Sequence, residues 1–120
     1  RITKDALGII NRWAVTAPLL IVGCTARSSI ITHYAGEVIS KVPYHVIDCS
    51  IAMEHIVLEA EELGISTCWV GWFNSKKVKK ILNLPLTWNI NAILAAGYAE
   101  AGFTPKPRKR LSLDKILVIK

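Results

Sequence analysis

A chain of 120 residues with 52% hydrophobic and 20% charged residues has the size and balance of one globular domain, which excludes a disordered or low-complexity segment. Its longest apolar run, Ala14 to Ala26, falls short of the roughly 20 residues of a membrane helix and is split by Pro18, so neither a membrane span nor a signal peptide is expected. The formal net charge of +6 directs attention to an anionic partner.

Thr3 is placed to cap a first helix, with Ala6, Ile10, Trp13 and Ala14 along one face. Pro18 ends that approach, and PLLIVGCT is a continuous apolar run, as expected of an interior strand covered on both faces. Residues 26–43, with Ser28, Ser29, Gly36 and Pro43, read as loop with a short helical turn. IDCSIAMEHIVLEAEELG carries the strongest helical signal, with Asp48 as N-cap or first-turn acid and Gly64 closing the helix in the left-handed conformation. Its polar residues Glu54, His55, Glu61 and Glu62 form a narrow face. The helix is therefore expected to be buried on more than one side, at the centre of the fold or at a subunit interface.

STCWVGWF is the next strand; Asn74 or Ser75 caps a helix that runs through Leu82, and LNLP closes it. NAILAAGYA is a further interior strand. EAGFTPKPRKR is an irregular loop broken by Gly102, Pro105 and Pro107, and LSLDKILVIK is expected to form a terminal strand. This order predicts one domain over residues 1–120, a sheet sandwiched by helices.

Few residues carry chemistry by themselves. Cys24, Cys49 and Cys68 lie far apart inside apolar segments and read as buried small hydrophobes in a reducing, cytoplasmic setting. His33, His45 and His55 show no metal-ligand spacing, so no metal is expected. No Ser-His-Asp or Cys-His arrangement stands out, and no catalytic side chain is assigned. Lys76, Lys77, Lys79 and Lys80 surround Val78 as the solvated face of a helix. The cluster Lys106 to Arg110 sits in a Pro-containing loop, where no helical face needs solvating, and is a candidate phosphate site. A nucleic-acid module using both clusters would bind with a steep salt dependence, but no recognition motif accompanies them. The stretch GISTCWVGWFN leads a strand directly into a capped helix through a glycine flanked by aromatics. Such turns accept ligands beyond strand ends, and Trp69 and Trp72 either wall an aromatic pocket or belong to the core with Phe73.

PYHVIDCSIAMEHIVLEAEELGISTCWVGWFNSKKVKKILNLP resembles the central part of the FMN-dependent nitroreductase family: an Asp-led apolar helix ending in Glu-Leu-Gly, then a Gly-x-x-x-Cys-Trp-x-Gly-x-Phe strand and turn. NAILAAGYAEAGFTPKPRKRLSLDKI continues the match, which covers most of residues 13–120. The resemblance implies an α+β fold, three-layer αβα, with a mixed central sheet flanked by helices. It implies FMN on the turn formed by Trp69, Val70, Gly71 and Trp72, with the Gly71 N–H at the ring nitrogen that carries hydride. Lys106 and Arg108 match the Lys-x-Arg that grips the FMN phosphate. The implied activity is an NAD(P)H oxidoreductase that passes electrons to a nitroaromatic, quinone or similar acceptor, working as a homodimer with flavin sites at the interface. A flavin-binding member without turnover is the alternative. The family's N-terminal Arg-Arg-Ser-x-Arg and Asn-x-Gln-Pro segments are not among these 120 residues, so the chain is expected to be the last two thirds of a member.

Overall fold

The computed structural model describes residues 2, 4–26 and 31–119, with the backbone alone for 31–34. Strands β1 (Leu19–Thr25), β2 (Ser66–Val70) and β3 (Asn89–Gly97) form an antiparallel sheet in the order β1-β3-β2. The most apolar strand takes the centre, because only there do both faces and both edges leave water. Ile93, Leu94, Ala95 and Ala96 of β3 are all buried. Leu19 pairs with Ala96 and Val22 with Ile93 on one side, and Ser66 pairs with Gly97 and Val70 with Ile93 on the other. The α+β class stands. The strands expected to form a mixed sheet pair only antiparallel among the described residues.

Helices cover both faces. Helix α1 (Lys4–Leu7) and helix α4 (Ser75–Ile81) pack on one, where Leu7, Ala14, Val70, Val78, Ile93 and Ala95 make the core. Leu94 and Ala96 point the other way by strand alternation, toward helix α3 (Tyr44–Glu62), whose Met53 and Cys49 lie against Gly23 of β1.

Several expectations change. The cap at Thr3 lies outside the described residues. The first helix stops at Leu7, where Gly8 turns the chain at φ 76°, and a 3₁₀ turn follows over Arg12–Thr16. That break rotates the face, so Ile10 and Trp13 are exposed while Ala6 and Ala14 are buried. The segment expected as loop holds helix α2 (Ile31–Ser40). Gly36 costs it only about 1 kcal/mol relative to Ala, and its C=O is taken by Ser40 Oγ at 2.7 Å.

Helix α3 starts at Tyr44, ahead of Asp48, because Glu37 of α2 supplies the acceptor that an N-cap would. Its Oε1 accepts from His45 N–H at 3.1 Å and pairs with His45 Nδ1 at 2.5 Å. Gly64 closes α3 at φ 71°, as expected. Within this chain α3 is buried on one side only: Met53 and Ala60 are covered, whereas Ile47, Ile51, Leu58 and Leu63 are exposed. Among the described residues nothing covers its other side.

The terminal strand is not formed. After β3 the chain runs out as an arm, residues 98–119, in which every residue is exposed; its only regular piece is a 3₁₀ turn over Leu113–Lys115. A strand needs a neighbour to take its N–H and C=O groups, and the arm's backbone bonds are local, such as Leu117 N–H to Leu113 O at 2.9 Å.

Candidate functional site

β2 ends where Val70 is drawn into the core, 3% exposed and opposite Ile93. Gly71 and Trp72 then carry the chain out of the sheet, Trp72 with φ 55°, and Asn74 starts α4. The Asn74 side chain accepts from Lys77 N–H at 3.0 Å, capping the helix as the sequence predicts. Its own N–H donates to Ala6 O at 2.7 Å, tying the turn to α1.

The inner side of the turn is held by Asn11, only 6% exposed. Its Nδ2 donates to Leu7 O at 3.1 Å, to Gly71 O, and at 3.5 Å to Trp72 O. Sequence reasoning missed this residue. The available signal is a lone amide within the apolar stretch GIINRWAV, but its partners lie about sixty positions away.

The outer side is open. Trp72 is 85% exposed and Trp69 44%, so neither belongs to the core; Phe73 alone of the three aromatics packs against it. A Cβ built on Gly71 would meet no atom within 4 Å, and Gly71 does not have a left-handed φ. Packing among the described residues therefore gives no reason for glycine at 71, and the bare main chain leaves room for a flat group to approach it. Of the four turn residues, Val70 has only its backbone to offer.

Lys106 and Arg108 lie on the exposed arm, and among the described residues neither makes a hydrogen bond or ion pair. The register also sets them apart from the turn, because β3 delivers the arm beside Ser66, at the opposite end of β2 from Val70. Lys106 follows Gly97 by nine residues. An extended chain of that length reaches about 30 Å, enough to return along the roughly 16 Å of β2. The structure brings Trp69, Val70, Gly71 and Trp72 together and leaves the basic pair unpartnered.

The lysines around Val78 point outward as expected, and Val78 is fully buried; Lys79 Nζ also donates to Leu86 O at 3.0 Å. A cleft of about 690 Å³ opens elsewhere, between the 3₁₀ turn, β1 and the end of α4, lined by Val15, Pro18, Leu20, Val22 and Leu82 with Lys4 at its rim. No residue of the Gly71 turn lines it.

All three cysteines are free thiols. Contrary to the expectation that they are buried, Cys68 is exposed on the edge strand β2, and Cys24 and Cys49 are half-buried. Burial, with a smaller contribution from the charge of Cys49, pushes the Cys24 thiol above its ordinary range. Among the described residues there is no group of three or more His, Cys, Asp or Glu that could hold a metal ion, and no helix long and apolar enough to cross a membrane.

Comparison with known proteins shows the family and the fold. Residues 4–98 match the model of the Nitroreductase family. A protein of Archaeoglobus fulgidus, named as a candidate NADH dehydrogenase/NAD(P)H nitroreductase, is 34% identical over 77 residues, covering 59% of this chain and 44% of its own. A nitroreductase family protein of Clostridium difficile 630, known from a crystal structure, is 28% identical with a TM-score of 0.62, over 85% of this chain and 59% of its own. A protein of Clostridium difficile R20291 described as an FMN-dependent nitroreductase shares the fold, with a TM-score of 0.55 at 23% identity over 83% of this chain and 53% of its own. The chain thus spans about half the length of these relatives.

Proposed function

The chain belongs to the nitroreductase family, and from that premise we propose that it provides the ring-binding turn and a phosphate grip of an FMN-dependent NAD(P)H oxidoreductase. The observation that carries this reading is the open, exposed glycine at 71, flanked by two exposed tryptophans and unexplained by the chain's own packing. In this reading the main chain of Trp69, Val70, Gly71 and Trp72 lies against the isoalloxazine ring, with the Gly71 N–H as a donor to it. The rings of Trp69 and Trp72 flank that surface and shed water from it. Lys106 and Arg108 hold the phosphate, a role that suits two cations with no partner among the described residues. When bound, FMN supplies hydride transfer from NADH or NADPH to a nitroaromatic, quinone or similar acceptor. The protein contributes binding and orientation, and no side chain of the turn is assigned an acid–base role.

The working unit is proposed to be a homodimer in which residues 1–120 form part of one nitroreductase-like domain. Supporting it are the exposed residues Tyr44, Ile47, Ile51 and Leu58, spaced along α3 as for helix pairing, and the apolar arm from Leu111 to Ile119. A cytoplasmic location is proposed from the three free thiols, which persist in reducing compartments.

The test is the visible spectrum of the purified chain after incubation with excess FMN and desalting, followed by NAD(P)H oxidation. Retained flavin absorbance is expected, and Gly71→Val is expected to abolish it with little change in melting temperature, because a Cβ at this position meets no described atom within 4 Å. Equal FMN retention by Gly71→Val would sink the proposed ring site. Retained flavin without NAD(P)H oxidation would instead identify a flavin-binding member without turnover.

A further inference from the structure

We propose that Asn11 is a positioning residue for the cofactor turn: by taking the carbonyls of Gly71 and Trp72 on its inner side, it presents the Trp72 N–H on the outer side, where the ring is read to lie, as a second donor after that of Gly71. The inference rests on the flavin reading of that turn.

The argument begins with what Asn11 faces. Three carbonyl oxygens, those of Leu7, Gly71 and Trp72, surround its Nδ2, and carbonyls only accept. The group facing them must therefore be the NH₂. Its two protons serve three acceptors, the Trp72 contact at 3.5 Å being the weakest. In a trans peptide the C=O and the next N–H point in opposite directions, and the described chain has no cis peptide bond. Fixing Gly71 C=O inward thus sends Trp72 N–H outward, and the hold on Trp72 C=O does the same for Phe73 N–H.

The conformation being held is one the chain would not adopt freely. Trp72 sits at φ 55°, where a side chain with a Cβ is disfavoured. Two ties oppose relaxation: Asn11 on the carbonyls, and Asn74 N–H to Ala6 O at 2.7 Å just beyond. Both anchor to the α1 region, so the segment Ala6–Asn11 acts as a brace under the turn. Asn11 touches no ligand in this scheme and acts through the peptide planes it sets.

The test compares wild type with Asn11→Asp, which keeps the shape but loses both donors, and Asn11→Ala, which adds no charge. Two readouts are taken: amide ¹H–¹⁵N resonances of the flavin-free chain, and the affinity and midpoint potential of bound FMN. The expected result is displaced Gly71, Trp72 and Phe73 resonances with β3 unmoved, about tenfold weaker FMN binding, and a shifted potential. Asn11→Gln, which retains the amide, is expected to restore part of both. Unmoved turn resonances in the variants would overturn the proposal whether or not FMN binds. Moved resonances with unchanged affinity and potential would overturn it too, leaving Asn11 a structural residue only. Should both variants fail to fold, hydrogen exchange of the Asn11 side-chain amide in wild type decides: slow exchange supports the hold, and exchange at the free-amide rate overturns it. A wild-type chain that retains no FMN overturns the flavin reading and with it the positioning role, an outcome distinct from unmoved resonances in a chain that does bind.

Discussion

Trp72 combines two costs that a residue chosen for stability would avoid: a left-handed backbone and an almost fully exposed ring. Replacing it with glycine removes the first and sacrifices little burial. Trp72→Gly is therefore expected to raise stability by roughly 1 kcal/mol in thermal denaturation while weakening FMN retention; a loss of stability would show that the ring packs more than its exposure implies. At Cys24 the raised thiol pKa means the folded state resists an ionisation that the unfolded chain accepts. Stability from this thiol is complete below the ordinary value of 9.0 and falls as pH rises above it. The melting temperature of wild type is expected to drop more steeply than that of Cys24→Ala from pH 9 upward, and parallel curves would refute this. The proposed role of Gly71 is legible from its neighbours in sequence. That of Asn11 is not, because an amide's worth depends on which carbonyls the fold brings to it.

At the scale of elements, local signals succeed where the partners are local. Asn74 caps α4 because its acceptor reaches a backbone N–H three residues on. Asn74→Ala is expected to cost about 1 kcal/mol, whereas Lys76→Ala, on the exposed face, is expected to change stability by less than about 0.5 kcal/mol; urea denaturation of both variants checks the contrast. Local signals fail where the helix boundary is set from outside. Asp48 looks like a cap, but α3 begins four residues earlier because Glu37, on the preceding helix, meets His45. The periodicity across Ala6, Ile10, Trp13 and Ala14 fails for a related reason: one left-handed glycine at position 8 turns a continuous pattern into two short pieces with different faces.

The whole molecule is larger than its length requires. Its radius of gyration is 17.3 Å, against about 14 Å for a compact chain of 120 residues. The exposed arm and the uncovered side of α3 account for the difference, and both carry apolar side chains that water disfavours. If a second copy covers them, Ile51→Asp is expected to shift the protein from dimer to monomer in sedimentation velocity without unfolding it, since Ile51 contributes nothing to the core of a single chain. A dimer of unchanged affinity would place the interface elsewhere. The failure of LSLDKILVIK to form a strand belongs to the same scale. Its composition favours extended chain, but among the described residues no strand lies beside it to complete the hydrogen bonds.

By itself the sequence determined the elements whose stabilising partners lie within a few residues: three apolar strands, the capped helix α4 and the left-handed close at Gly64. Periodicity, caps and backbone conformation are local physics, and they survive in any tertiary setting. Only the tertiary structure decided that β3 lies at the centre, that one apolar side of α3 is left uncovered by the described residues, and that Asn11 grips the turn from beneath. Each of these depends on which distant surfaces meet. Burial and hydrogen bonding across sixty residues are settled by packing, which no local pattern encodes.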